Sequence, residues 1–125
     1  MAKKILLVED DEDVTTIVSR CLEVQGYEVT LAQNGAQVFA ALAGALPDLV
    51  LLDAMLPFVS GYEICEQIKK GEKTSQIPVI ILSARTQRFE IEKGLRAGAS
   101  LYLTKPFEIP ALLAAVKQFL PAGVS

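Results

Sequence analysis

The chain has 125 residues, 51% of them hydrophobic, which suits one domain built around one core. No apolar stretch approaches the ~20 residues of a membrane helix, and the N-terminus runs through only four apolar residues before reaching acids, unlike a secretory leader. Net charge is −3, but Glu9 to Asp13 alone carries −5 and leaves +2 on the rest, with no basic block of the kind that binds nucleic acid. The expected compartment is the cytoplasm, and the two cysteines, Cys21 and Cys65, are expected as buried free thiols on helices.

Along the chain, strand-like runs alternate with helix-like ones. Lys4 to Val8 reads as a buried strand. Val14, Ile17, Val18, Cys21 and Leu22 recur at helical spacing, and Gly26 ends that helix. Glu28 to Ala32 reads as a half-exposed strand, Asn34-Gly35 as a turn, and Val38, Phe39 and Leu42 as the apolar face of a second helix. Gly44 and Pro47 punctuate before the strand Leu49 to Leu52, which runs into Asp53. Ser60 is a candidate N-cap for a helix carrying Ile64, Cys65 and Ile68. Pro78 opens the strand Val79 to Leu82, which runs into Ser83-Ala84. Phe89 to Leu95 reads as a fourth helix, stopped near Gly98. Leu101 to Thr104 forms a fifth strand ending at Lys105-Pro106, and Pro110 falls in the first turn of the last helix. Residues 120–125 read as a frayed tail or linker stub to a single domain spanning 1–125. Five strand–helix units with short connections predict an α/β fold, a doubly wound parallel sheet with five helices on its two faces.

In such open sheets ligands bind beyond the carboxyl ends of the strands. Those ends carry Glu9 and Asp10, Asp53, Ser83 and Lys105, an acid pair, an isolated acid, a hydroxyl and a cation around one cleft. Plainer readings compete, although a helix-start role explains Glu9 and Asp10 less well, because they directly follow the strand. Glu12 and Asp13 suit a helix N-terminus, where acids favour the dipole, and Asp11 belongs with them. Asp53 and Ser83 are candidate turn or strand-end caps, and Lys105 a surface lysine.

Taken together and in order, the acid pair after strand one, the Asp53-x-x-x-Pro57-x-x-x-Gly61 pattern, the Ser83-Ala84 step and the Lys105-Pro106-Phe107 end resemble the receiver domains of two-component response regulators. The resemblance covers essentially the whole chain and implies the flavodoxin-like strand order 2-1-3-4-5. It implies Asp53 as phosphoacceptor, a carboxylate nucleophile that forms an acyl phosphate. It implies Mg²⁺ held by Asp10, Asp53 and the Met55 backbone carbonyl, with Glu9 acting through a water; this ion takes oxygen ligands and keeps several waters. Lys105 would pair with Asp53 and then with phosphoryl oxygens, aimed by a cis peptide to Pro106. Ser83 and the Ala84 amide would contact the phosphoryl group. Tyr102 would be the aromatic switch coupled to Ser83; a half-buried strand aromatic is the alternative.

The chain contains no histidine, so the resemblance implies a separate phosphodonor, a sensor histidine kinase or histidine phosphotransfer protein. It implies a stand-alone or excised receiver that catalyses only its own phosphorylation and dephosphorylation, with no direct binding to nucleic acid or membrane. Output is expected through helix four, strand five and helix five toward a downstream protein. Relatives that dimerise to bind DNA carry two acids where this chain has Ser100 and Leu101, and a basic residue where it has Ile91. Charge pairing across that face is therefore not expected, and Leu101 and Ile91 are candidates for an apolar patch. Met55 and Arg85 flank the site. Two other readings compete. A Mg²⁺-dependent aspartyl-phosphate phosphatase would want a second Asp at position 55, which is Met. An inert flavodoxin-like module fits the fold, but no glycine-rich phosphate loop is present.

Overall fold

The computed structural model describes residues 2–120. The elements alternate without exception: β1 (Lys4–Val8), α1 (Glu12–Val24), β2 (Glu28–Ala32), α2 (Gly35–Ala43), β3 (Leu49–Asp53), α3 (Gly61–Lys70), β4 (Val79–Ser83), α4 (Arg88–Arg96), β5 (Leu101–Thr104) and α5 (Ile109–Phe119). The five strands are parallel, in the order β2-β1-β3-β4-β5. Strand order reverses at β1, so β1 and β3 are neighbours and their carboxyl ends border the crevice that such sheets use for ligands.

Alternation along each strand divides the core in two. Leu6, Val8, Val50, Leu52, Val79 and Ile81 face one side, where α2 and α3 bring Val38, Ile64, Cys65 and Ile68. Ile5, Leu7, Leu49, Leu51, Ile80 and Leu82 face the other, where α1 and α5 bring Val18, Leu22, Leu112 and Val116. β1, β3 and β4 are therefore buried on both faces and read as unbroken apolar runs. β2, an edge strand, is mostly exposed.

Helix ends follow local chemistry. Asp11 caps α1, its carboxylate accepting from the N–H groups of Asp13 (2.9 Å) and Val14 (3.2 Å). Asn34 and Ser60 cap α2 and α3 in the same way. Gly26 leaves α1 at φ 96°, where a side chain would be strained. Pro110 lies in the first turn of α5.

Two apolar faces are narrower than the sequence pattern implied. In the pairs Ile17/Val18 and Val38/Phe39 the second and first members respectively are buried, while Ile17 and Phe39 stand exposed. Successive helical residues are ~100° apart, so only one of each pair reaches the sheet. At the C-terminus, Leu120 is buried and its carbonyl accepts from the Tyr27 hydroxyl at 3.1 Å, so it is packed rather than frayed. The rest of the expected tail, residues 121–125, lies outside the described residues.

Both cysteines are free, Cys21 half-buried and Cys65 buried. Cys65 donates weakly to the Ala97 carbonyl, and burial pushes its thiol up to about 11. Iodoacetamide at pH 8 is therefore expected to modify Cys21 in the native protein and leave Cys65 intact until denaturant is added, as read by peptide mass.

Candidate functional site

The site grows from strand ends. Chain leaving β1 places Glu9 and Asp10 at its carboxyl end, and chain leaving β3 ends on Asp53. Carboxylate oxygens of Glu9, Asp10 and Asp53 all lie within 4.8 Å of one another. Glu9 and Asp53 are buried, whereas Asp10 is exposed. Three like charges so close demand a cation. Lys105, arriving from β5, meets Glu9 at 2.6 Å and Asp53 at 3.5 Å. Its backbone N–H donates to the Ser83 carbonyl at 2.7 Å, and its peptide bond to Pro106 is cis.

The two buried carboxylates are each held on more than one side. Glu9 takes Lys105 on one oxygen and the N–H groups of Asp10 (3.2 Å) and Asp11 (3.5 Å) on the other. Asp53 accepts from the Met55 N–H at 3.0 Å on Oδ1 and faces Lys105 through Oδ2. Burial raises the Glu9 carboxyl above its ordinary value, the Asp53 carboxyl adds to that, and Lys105 pulls the other way. Burial alone would lower Lys105, but its hydrogen bond to Glu9 and the Asp53 charge outweigh it and leave the ammonium above its ordinary value.

The sequence pattern put Lys105 on Asp53; its tighter partner is Glu9. Glu9 is 1% exposed and needs a countercharge most, because a buried unpaired carboxylate is costly. Ser83 is also fully buried at the end of β4, beside β3. Its hydroxyl oxygen accepts from the Arg85 N–H at 3.0 Å, and Ala84 follows on the exposed side. Tyr102 is half-buried on β5, and its hydroxyl donates to the Arg85 carbonyl at 3.0 Å. Ser83 and Tyr102 thus meet through the backbone of Arg85.

The pattern Asp53-x-x-x-Pro57-x-x-x-Gly61 has a packing cause. The Gly61 N–H donates to the Ala54 carbonyl at 2.9 Å, and a Cβ at Gly61 would collide with the Asp53 carbonyl and the Ala54 Cα. Only glycine lets α3 start this close to the acid. Between them, Phe58 sits at φ 68° with its ring fully exposed.

Two participants, Tyr62 and Glu90, escaped the sequence reading, and Arg85, expected only as a flanking residue, joins them. Tyr62 on α3 donates to Glu90 on α4 at 3.0 Å and lies 3.2 Å from the Tyr102 hydroxyl, while Arg85 reaches Glu90 at 3.3 Å. Glu90 is buried, a rare state for a glutamate unless it is paired. Its companions come from different elements, so no spacing in the chain announces it.

The model for the response regulator receiver domain matches residues 5–117. The chain belongs to that family. It is 41% identical over 120 residues to the phosphate regulon transcriptional regulatory protein PhoB of Rhizobium meliloti, covering 96% of this chain and 53% of that protein. It is 39% identical over 117 residues to the DNA-binding dual master transcriptional regulator RpaA of Synechocystis, covering 94% and 48%. The chain thus spans about half the length of these relatives. Among solved structures, the chemotaxis protein CheY4 of Vibrio cholerae superposes with a TM-score of 0.90 at 27% identity, covering 95% of this chain and 99% of that one. The BeF3-activated DrrB receiver domain superposes with a TM-score of 0.87 at 39% identity, covering 96% and 98%. The receiver is a module of two-component signalling, a switch controlled by phosphorylation rather than a classical enzyme. The phosphatase and inert-module readings gain nothing from these likenesses. Among the described residues no helix is long and apolar enough to cross a membrane.

The donor set fits a hard divalent cation. Glu9, Asp10 and Asp53 offer only oxygen, with no cysteine or histidine among them. One ammonium against three carboxylates leaves like-charge repulsion in the receiver. Asp53→Asn keeps an oxygen for the Met55 N–H and leaves the Lys105–Glu9 pair intact. In low salt without divalent cations, it is expected to raise stability by about 1 kcal/mol, a few degrees in a thermal melt. A lower midpoint would show that Asp53 is net stabilising as a charge.

Proposed function

We propose that this receiver accepts a phosphoryl group from a partner phosphohistidine onto Asp53. The observation that carries the reading is the convergence of Glu9, Asp10, Asp53 and Lys105 at one end of the sheet. An Asp53 oxygen forms a bond to phosphorus as the donor's N–P bond breaks, leaving an acyl phosphate and a neutral imidazole after proton uptake. The Met55 N–H fixes the carboxylate for attack, since phosphoryl transfer depends mostly on positioning and charge neutralisation. Lys105 lies within reach of Asp53 and supplies a mobile positive charge for the phosphoryl oxygens. Ser83 at the end of β4 and the Ala84 amide just beyond it would contact the transferred group.

Asp10, Asp53 and the Met55 carbonyl would hold Mg²⁺, with Glu9 acting through a water. When bound, the ion supplies charge neutralisation that one lysine cannot provide alone. Treatment with acetyl phosphate and Mg²⁺ is expected to add the mass of one phosphoryl group to the chain and none to Asp53→Asn. Asp10→Ala should slow the reaction sharply, and Glu9→Gln less, since an amide still holds a water. A phosphorylated Asp53→Asn protein with an acyl-phosphate signature would remove Asp53 from the role.

Output would run through Tyr102 to the face of α4, β5 and α5, and from there to a downstream protein. A divalent phosphoryl charge can bias a two-state element beside it. Moving a 1:99 population to 99:1 takes ~5.5 kcal/mol of differential energy, and smaller shifts still signal. Ser100 is exposed, while Leu101 and Ile91 are half-buried, so the face lacks the charges that pair in dimerising relatives. Sedimentation at low and high salt, with and without beryllofluoride, is expected to show no salt-sensitive dimer on activation. Such a dimer in the activated form would contradict a face reserved for a different partner.

A further inference from the structure

A second polar network closes between α3, α4, β5 and the loop after β4. Its members are Arg85, Glu90, Tyr62 and Tyr102. Arg85 brings its own protons to Glu90 Oε1. Three oxygen–oxygen contacts remain: Tyr62 to Glu90 Oε2 at 3.0 Å, Tyr62 to Tyr102 at 3.2 Å, and Tyr102 to the Arg85 carbonyl at 3.0 Å. A carboxylate and a carbonyl donate nothing, and each phenol carries one proton. Two protons therefore serve three contacts, and one contact is always without a proton. The contact between the two tyrosines is the longest of the three, as expected if it is the one most often left bare.

Tyr62 is well placed to be shared. Its ring is buried, with Lys93 5.0 Å from the centroid. Burial, with the Tyr102 and Glu90 contacts, pushes its phenol well above the ordinary value, so it remains a neutral donor. Tyr102 rests against Gly94 of α4, where any Cβ would strike its ring. Its hydroxyl holds the carbonyl of the same residue whose N–H holds Ser83.

We infer that Glu90 and Tyr102 compete for the single proton of Tyr62, and that this competition sets how firmly Tyr102 is held on the Arg85 carbonyl. Tyr62 and Glu90 are then positioning residues for the switch, acting through Tyr102. The inference rests on the reading of Tyr102 as that switch. While Glu90 takes the proton, the two phenol oxygens face each other bare and Tyr102 is loosened. While Tyr102 takes it, a buried carboxylate oxygen loses its donor.

Glu90→Gln tests this with a forced geometry. Arg85 only donates, so the amide must turn its oxygen to Arg85 and its nitrogen to Tyr62. The amide then supplies the missing proton, Tyr62 donates to Tyr102, and all three contacts are filled. With ring-labelled tyrosine, NMR exchange measurements read the ratio of Tyr102 on Arg85 to Tyr102 elsewhere. Glu90→Gln is expected to raise that ratio about fivefold, the amount one net hydrogen bond supports. In a Tyr62→Phe background the same substitution should have almost no effect, because the relay is gone. An equal shift in both backgrounds, or none in either, would overturn the inference. A second measurement needs neither substitution. Tyr102→Phe leaves Tyr62 to Glu90 alone and should slow exchange of the Tyr62 hydroxyl proton severalfold; unchanged exchange also overturns the inference. Each variant is first treated with acetyl phosphate and Mg²⁺. Loss of phosphorylation in the unsubstituted chain would count against Asp53, whereas normal phosphorylation with an unmoved Tyr102 would count against the proton competition.

Discussion

The contact between Lys105 and the two buried acids is the constraint on which the rest of the site depends. Glu9 and Asp53 sit at the ends of strands buried on both faces, where an isolated carboxylate would be neutralised or expelled. One ammonium at 2.6 Å from Glu9 and 3.5 Å from Asp53 allows both to stay. It does not balance them, because Asp10 stands within 4.8 Å as well. The residual negative charge makes the same cluster receptive to a hard cation. A lysine on a flexible stem can leave Asp53 for another anion while Glu9 still anchors it.

Much of this was legible in the chain because its causes are local. β1, β3 and β4 are runs of Leu, Ile and Val, since parallel strands with helices on both sides have no polar face. The acids, Ser83 and Lys105 were found because strand ends converge by topology, whichever residues occupy them. Gly61 was visible for a similar reason, as its spacing from Asp53 is fixed by how closely α3 begins. What stayed hidden depends on three-dimensional partners. Lys105 choosing Glu9 over Asp53 is a matter of relative burial. Periodicity also could not decide which of Val38 and Phe39 turns inward, since that depends on the facing strand.

The network around Glu90 belongs to the hidden class, and it changes how the site connects to the surface. Arg85 is the junction: its N–H serves Ser83, its carbonyl serves Tyr102, and its guanidinium serves Glu90. Under the proposed function, a displacement of Ser83 would have two routes to α4, through the main chain to Tyr102 and through the side chain to Glu90. Both routes close on Tyr62, which ties α3 into the same unit. A network with a proton too few is easier to rearrange than a saturated one, because breaking its weakest contact sacrifices little.

That argument bears on the outer face. PhoB and RpaA are named as transcriptional regulators, and this chain matches about half the length of each. Where charged residues would pair two copies, Ser100, Leu101 and Ile91 present little charge. Exposed ion pairs are individually weak, but they fix register and orientation. At these three positions no ion pair is present to fix how a second copy would align. Phe89 and Leu95, both exposed on α4, flank Ile91 in sequence and offer apolar contact instead. α4 also carries Glu90 on its buried side, so the Tyr62 network and these surface residues share one helix. Coupling by a shared rigid element requires only that the helix have two positions that the inner network distinguishes.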